Sequence, residues 1–153
     1  MSDEKLVLEK FLPYRLSVLS NRLSAAIAEA YSSRFGLSIP EWRVMAVLAL
    51  EPGLSAAEVA DRTAMDKVAV SRAVGRLIST GRAQREVAAG DRRRSMLQLT
   101  PEGRHIYRRI APALRRYETE LLAALDLRDR QLLESLLRRL ESRAAALQPP
   151  RIE

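Results

Sequence analysis

Apolar residues recur every three or four positions between Leu6 and Tyr31, at Leu8, Leu12, Leu16, Leu19, Leu23 and Ile27, with Phe11 and Tyr31 adjoining. That is the period of an amphipathic helix. Pro13 interrupts it by removing a backbone donor, so the spacing predicts a short first turn or kink, then a long helix stopping near Gly36. Ser38-Ile39-Pro40-Glu41 carries a capping serine, an early proline and a glutamate three residues after the cap, and starts a second helix running to about Leu50. Glu51-Pro52-Gly53 reads as a turn. Ser55 and Glu58 then repeat the capping pattern for a helix ending near Arg62.

Asp66 is a cap for the next helix, whose inner face is Val70, Ala73, Val74 and Leu77 and whose outer face is Lys67, Val68, Ala69, Ser71, Arg72 and Arg76, with Gly81 as its stop. Residues 82–87 and 95–99 carry strand formers, and between them residues 88–94 form a turn-rich, basic loop, predicting a β-hairpin with a charged tip. Thr100-Pro101-Glu102 restarts helix through Ile106, Ile110, Leu114, Tyr117, Leu121 and Leu125. A break at residues 126–129 precedes a last helix striped by Leu132, Leu133, Leu136, Leu137 and Leu140 and ending near Leu147, with Gln148-Pro149-Pro150 as a frayed tail.

Helix, helix, exposed polar helix and charged hairpin, in that order, predict a mainly α chain with a small β-hairpin wing, an α+β winged helix-turn-helix. The expected organisation is an N-terminal dimerisation helix at residues 1–36, the winged helix-turn-helix lobe at 37–100 and C-terminal dimerisation helices at 101–153. The terminal helices are amphipathic and extend beyond what a lobe of about 60 residues covers. A second copy of the chain, interleaving its own terminal helices about a twofold axis, is therefore the expected partner.

Composition then narrows the chemistry. The formal charge is +7 and the pI about 10.5, which favours polyanionic partners. Of the 26 basic residues only Lys5, Lys10 and Lys67 are lysine, so a bias toward arginine accounts for part of the surplus, and its placement decides the matter. With no cysteine, disulfides, thiolate metal sites and thiol redox sensing are excluded. No stretch approaches about 18 uninterrupted apolar residues, so the reading is cytoplasmic, without a membrane partner. The single His105 is far from any candidate nucleophile and no acidic or histidine cluster has metal-ligand spacing, so neither an enzyme nor a metal or other cofactor is expected.

The basic residues concentrate where a DNA reader needs them. On the helix capped by Asp66, Val68 and Ala69 are small enough for close approach and thymine-methyl contact, Ser71 suits base or phosphate, Arg72 reaches guanine and Arg76 suits phosphate. Lys67 begins this surface, and Ser55 at the start of the preceding helix adjoins it. Arg92, Arg93 and Arg94 on a narrow ribbon suit a minor groove, and Asp91 suits an ion pair that orients an arginine. A basic membrane- or RNA-binding protein is the competing reading. Against it, the terminal helices mix acids with arginines, and none of the seven aromatic residues falls on the reading surface.

With these residues in view, the chain resembles the MarR family of bacterial regulators from about Leu6 to Leu147. The resemblance lies in Leu37-Ser38-Ile39-Pro40-Glu41-Trp42-Arg43, Met65-Asp66-Lys67, Asp91-Arg92-Arg93 and Leu99-Thr100-Pro101-Glu102-Gly103-Arg104, in that order. It implies a triangular homodimer on a palindromic double-stranded operator, usually repressing, with Arg93 entering the minor groove and Asp91 orienting it. It also implies release by a small, often aromatic or phenolic anion bound between the dimerisation helices and the DNA-binding lobe. Candidates for that effector site are Tyr14, Arg15 and Ser20 on the first long helix, Trp42 and Arg43 on the second, and His105 on the fifth. Arginine beside aromatic rings suits an aromatic carboxylate, through two-point binding and stacking. Each of these candidates also has a plain structural reading as core, surface or interlobe residue.

Overall fold

Short-range capping sets where the central helices begin. Ser38 Oγ accepts from the Glu41 N–H at 3.3 Å while the Glu41 carboxylate accepts from the Ser38 N–H at 2.6 Å. Ser55 and Glu58 do the same at 3.2 and 2.7 Å, and the Asp66 carboxylate accepts from the Ala69 N–H at 2.9 Å. These caps satisfy donors that a helix start leaves open. They open α2 (Ile39–Leu50), α3 (Ala56–Thr63) and α4 (Lys67–Ser79) in a computed structural model that describes residues 5–152, with only the backbone described at Ala88, Arg92, Arg93 and Arg94.

The chain divides into two compact units, residues 1–114 and 115–153. In the first, a 3-10 turn at Leu8–Lys10 precedes α1 (Leu12–Phe35), and Pro13 sits in the first turn of α1, where its missing N–H costs nothing. Gly36, at φ +63°, closes α1 in the left-handed conformation that favours glycine. The core draws Val44, Met45 and Leu48 from α2, Val59 from α3, Val70, Val74 and Leu77 from α4, Leu97 and Leu99 from the hairpin, and Ile106 and Ile110 from α5 (Pro101–Leu122). Pro112, inside α5, was not marked by the apolar pattern as a break, and the helix continues through it.

The hairpin differs from the expected one. Strands β1 (Ala83–Ala88) and β2 (Asp91–Leu99) pair antiparallel from Ala83 opposite Leu99 to Val87 opposite Ser95, and Ala88 then pairs with Asp91. Arg92, Arg93 and Arg94 thus fall in a bulge on β2 opposite the single step from Val87 to Ala88, rather than in an open loop. The connection shrinks to Ala89 and Gly90 because Gly90 adopts φ +92°, which permits a tight reversal. The hairpin is fastened to the α2–α3 turn by Leu97 N–H donating to Leu54 O and Gly53 N–H to Leu97 O, both at 2.8 Å.

Its base is fastened to α5. The Arg82 carbonyl accepts from the Thr100 N–H at 3.1 Å, and the Thr100 hydroxyl donates to Gly81 O at 2.7 Å while its own oxygen accepts from the Gly103 N–H at 3.1 Å. Gly103 is buried and could carry no side chain here, since an added Cβ would lie 2.0 Å from the Arg82 carbonyl oxygen.

In the second unit, α6 (Leu127–Ala146) is capped by Asp126, whose carboxylate accepts from the Asp129 N–H at 2.8 Å. The break expected at residues 126–129 therefore lies earlier, and α5 stops at Leu122 rather than Leu125. Arg130 supplies the reason: its Nε donates to the carbonyls of Leu122 at 2.9 Å and Leu125 at 3.0 Å, satisfying acceptors at the end of α5. Leu132, Leu133, Leu136, Leu137 and Leu140 are all exposed in the single chain. Among the described residues no helix is long and apolar enough to cross a membrane.

Candidate nucleic-acid interface

Helix α4 separates its two faces as the sequence pattern requires. Val70, Ala73, Val74 and Leu77 are buried, while Lys67, Val68, Ser71, Arg72 and Arg76 are exposed and Ala69 is half-buried. Val68, at 60% exposure, is an apolar side chain offered to solvent on an otherwise polar face, which suits contact with a thymine methyl. Ser55 is the N-cap of α3, so its oxygen is engaged with the Glu58 N–H and only its hydroxyl proton is left to offer a phosphate.

On the wing, Asp91 opens β2 opposite Ala88. The side chains of Arg92, Arg93 and Arg94 lie outside the described residues. Their backbone, in the bulge beside the hairpin tip, collects three consecutive arginines at one place on the ribbon.

Arg76 has a partner the sequence did not suggest. Its Nε lies 3.5 Å from Oε1 of Glu41, whose side chain is only 6% exposed. Glu41 was legible as a capping residue of α2, but its second role spans 35 positions of chain and leaves no local pattern. A cleft of about 650 Å³ separates the start of α2 from α4 here, lined by Leu37, Pro40 and Glu41 on one side and Ala69, Arg72, Ala73 and Arg76 on the other.

The expected effector residues do not gather in one chain. Trp42 stacks between Tyr31 and Tyr107, with ring centroids 5.5 and 5.7 Å apart and interplanar angles of 26° and 14°. Arg43 donates to Ser24 Oγ at 3.2 Å. Burial pushes the Tyr31 phenol above its ordinary value of 10.0, and the Arg43 charge pulls it partly back. Tyr31, Tyr107 and Ser24 were not among the sequence candidates, because each falls within the ordinary periodicity of a helix.

Tyr14 and Arg15, by contrast, line a shallow depression of about 350 Å³ with Glu9, Val18, Leu19 and Arg22. Along a helix rising about 1.5 Å per residue, Tyr14 is about 25 Å from Tyr31, and exposed Ser20 about 17 Å from it. His105 is exposed, and two positions along a helix turn it about 200° from Tyr107. Trp42 and Arg43 thus belong to one environment, and Tyr14, Arg15, Ser20 and His105 do not join it within the chain.

Comparison with known proteins agrees with this architecture. The profile of the MarR family matches residues 35–94, which run from the end of α1 through the arginines of the wing. A Thauera aromatica protein named for transcriptional regulation of the hcr operon is 30% identical over 113 residues, covering 74% of this chain and 68% of its own. An HTH-type transcriptional repressor of Mycobacterium tuberculosis is 29% identical over 133 residues, covering 86% of this chain and 92% of its own. The crystal structure of a MarR/EmrR family transcriptional regulator from Acinetobacter sp. ADP1 superposes with a TM-score of 0.85 at 25% identity, covering 93% of this chain and all of that one. The PcaV transcriptional regulator of Streptomyces coelicolor, solved in complex with its natural ligand, superposes with a TM-score of 0.71 at 27% identity, covering 92% and 98% of the two chains. With these matches in sequence and in fold, the chain belongs to the MarR family of transcriptional regulators.

Proposed function

We propose that the protein is a repressor that binds a palindromic duplex operator as a homodimer and is released by a small aromatic carboxylate. The observation that carries the DNA part is α4 itself. Its inner face is buried in the lobe while Lys67, Val68, Ser71 and Arg72 stand exposed together, a face that an unbound surface helix would not need to keep small. Arg72 reads a base edge, and Arg92, Arg93 and Arg94 enter the flanking minor groove. Dimerisation covers the exposed leucines of α6 and those of the first half of α1, Leu12, Leu16 and Leu19.

The effector part is supported by Trp42. Flat rings layered beside a guanidinium, as in Tyr31, Trp42, Tyr107 and Arg43, offer stacking and carboxylate recognition side by side. The solved relative with a bound ligand is consistent with such a site.

The test is titration of the purified protein onto its own upstream promoter fragment across a salt series, with competitor DNA and then a panel of aromatic acids. Expected are a linear loss of log affinity with log salt, preference for one palindrome, and release by one acid. Arg72→Ala should cost about 1–3 kcal/mol on that palindrome and relax the preference at one base position. An equal loss on every sequence would move Arg72 to the phosphate contacts, and binding without sequence preference at any salt would refute the operator reading.

A further inference from the structure

We infer that Glu41 is a positioning residue for DNA recognition: its buried carboxylate holds Arg76 and thereby braces α4 against α2, so that Arg76 serves as a strut rather than a phosphate contact. The inference rests on α4 being the reading helix.

Burial is the first ground. Glu41 is 5% exposed, and a carboxylate so placed is costly unless both its charge and its lone pairs are answered. Oε2 is answered by the Ser38 N–H at 2.6 Å as half of a capping box. Glutamine would complete that box equally well, so the cap does not explain the charge. Arg76, at 3.5 Å from Oε1, does.

The second ground is what surrounds the pair. The α4 wall of the 650 Å³ cleft includes Ala69 and Ala73, side chains too short to fill it. The ion pair spans this cleft, while elsewhere the two helices share a core of Val44, Met45 and Leu48 with Val70, Val74 and Leu77. Arg72 lies one helical turn before Arg76 on the same wall. The tilt of the reading arginine and the length of the strut are then one adjustment.

Charge and position predict opposite signs, which makes the test sharp. Glu41→Gln removes a negative charge near a polyanion, so electrostatics alone would tighten DNA binding, whereas loss of a brace loosens it. The probe is a duplex selected from a random-sequence pool by the wild-type protein, and affinity is measured against salt for wild type, Glu41→Gln, Arg76→Ala and the double variant. Melting without DNA establishes that each is folded at the assay temperature.

Expected are affinities about tenfold weaker for either single substitution, a shift of about 1.4 kcal/mol, with the double no worse than the singles. The salt slope and the affinity for unselected duplex should stay unchanged. Unchanged or tighter binding by Glu41→Gln would overturn the inference. So would a salt slope lowered by about one in Arg76→Ala with equal losses on all sequences, the signature of a lost phosphate contact. If the wild type selects no duplex, the operator reading fails on its own account. The strut is then read from DNA-free protein, where non-additive losses of Tm support the pair and additive ones overturn it.

Discussion

Adding one methyl group at Gly103 tests how closely the base of the wing is fitted to α5. In an exposed helix interior, glycine to alanine is favourable by about 1 kcal/mol, because alanine loses less backbone freedom on folding. At Gly103 the new Cβ would stand 2.0 Å from the Arg82 carbonyl oxygen, 3.0 Å from its carbon and 3.4 Å from its Cα. All three atoms are backbone, so no side chain can swing away, and α5 or β1 must retreat by about 1 Å. Overpacking of this kind costs about 1–3 kcal/mol and occasionally more. The retreat also stretches the Thr100 N–H to Arg82 carbonyl bond, now 3.1 Å, which is worth about 1 kcal/mol. Set against the helix gain, the net destabilisation is about 1–3 kcal/mol, or a Tm lower by roughly 2–12 °C for a chain of this size.

The control is the same substitution at Gly75 in α4, where a Cβ meets nothing within 4 Å. There the helix term acts alone, and Gly75→Ala should stabilise by about 0.5–1 kcal/mol. Thermal and urea denaturation followed by circular dichroism reads both. Opposite signs from one chemical change are the expected result. If Gly103→Ala melts with the wild type, the close approach of α5 to Arg82 does not exist as described and the account of the wing base fails.

Asp66→Ala deletes the cap that accepts from the Ala69 N–H and should cost about 1 kcal/mol, measured by urea denaturation, with no loss refuting the cap's contribution. Tyr31 predicts a pH dependence. Its phenol titrates above 10.0 in the fold because burial disfavours the anion, so below that value its proton is held equally in both states. As pH rises past it, the unfolded phenol ionises first and the fold loses stability. Tyr31→Phe should flatten that alkaline part of the stability profile, and matching slopes in the two proteins would contradict the burial argument.

What could be read from the chain before folding was whatever neighbouring residues decide. The capping pairs Ser38 with Glu41 and Ser55 with Glu58, the cap at Asp66 and the period of Val70, Ala73, Val74 and Leu77 act over a turn or two, and each appears where the pattern put it. What lay outside that reading has a different range. Where α5 stops depends on Arg130 reaching back eight residues to the Leu122 carbonyl, and the wing's outline depends on pairing across the ribbon. Trp42 is placed by rings from two other helices, and Arg76 by a carboxylate 35 positions earlier. Residue identity nominated these groups as chemically apt, but partner choice over such separations is made by packing, which period and composition do not encode.

The bulge on β2 separates two duties that a plain hairpin would tie together. Side chains along a strand alternate between faces, so inserting one residue between Ser95 and Leu99 would turn Leu97 or Leu99 out of the core. Arg92, Arg93 and Arg94 instead occupy a stretch that the pairing passes over in a single step. Residues gained, lost or exchanged there leave the register of the paired segment intact. The wing can therefore vary in length and charge between related regulators at little cost to the lobe that carries it, which makes this short run of backbone the natural place for one scaffold to acquire a new target.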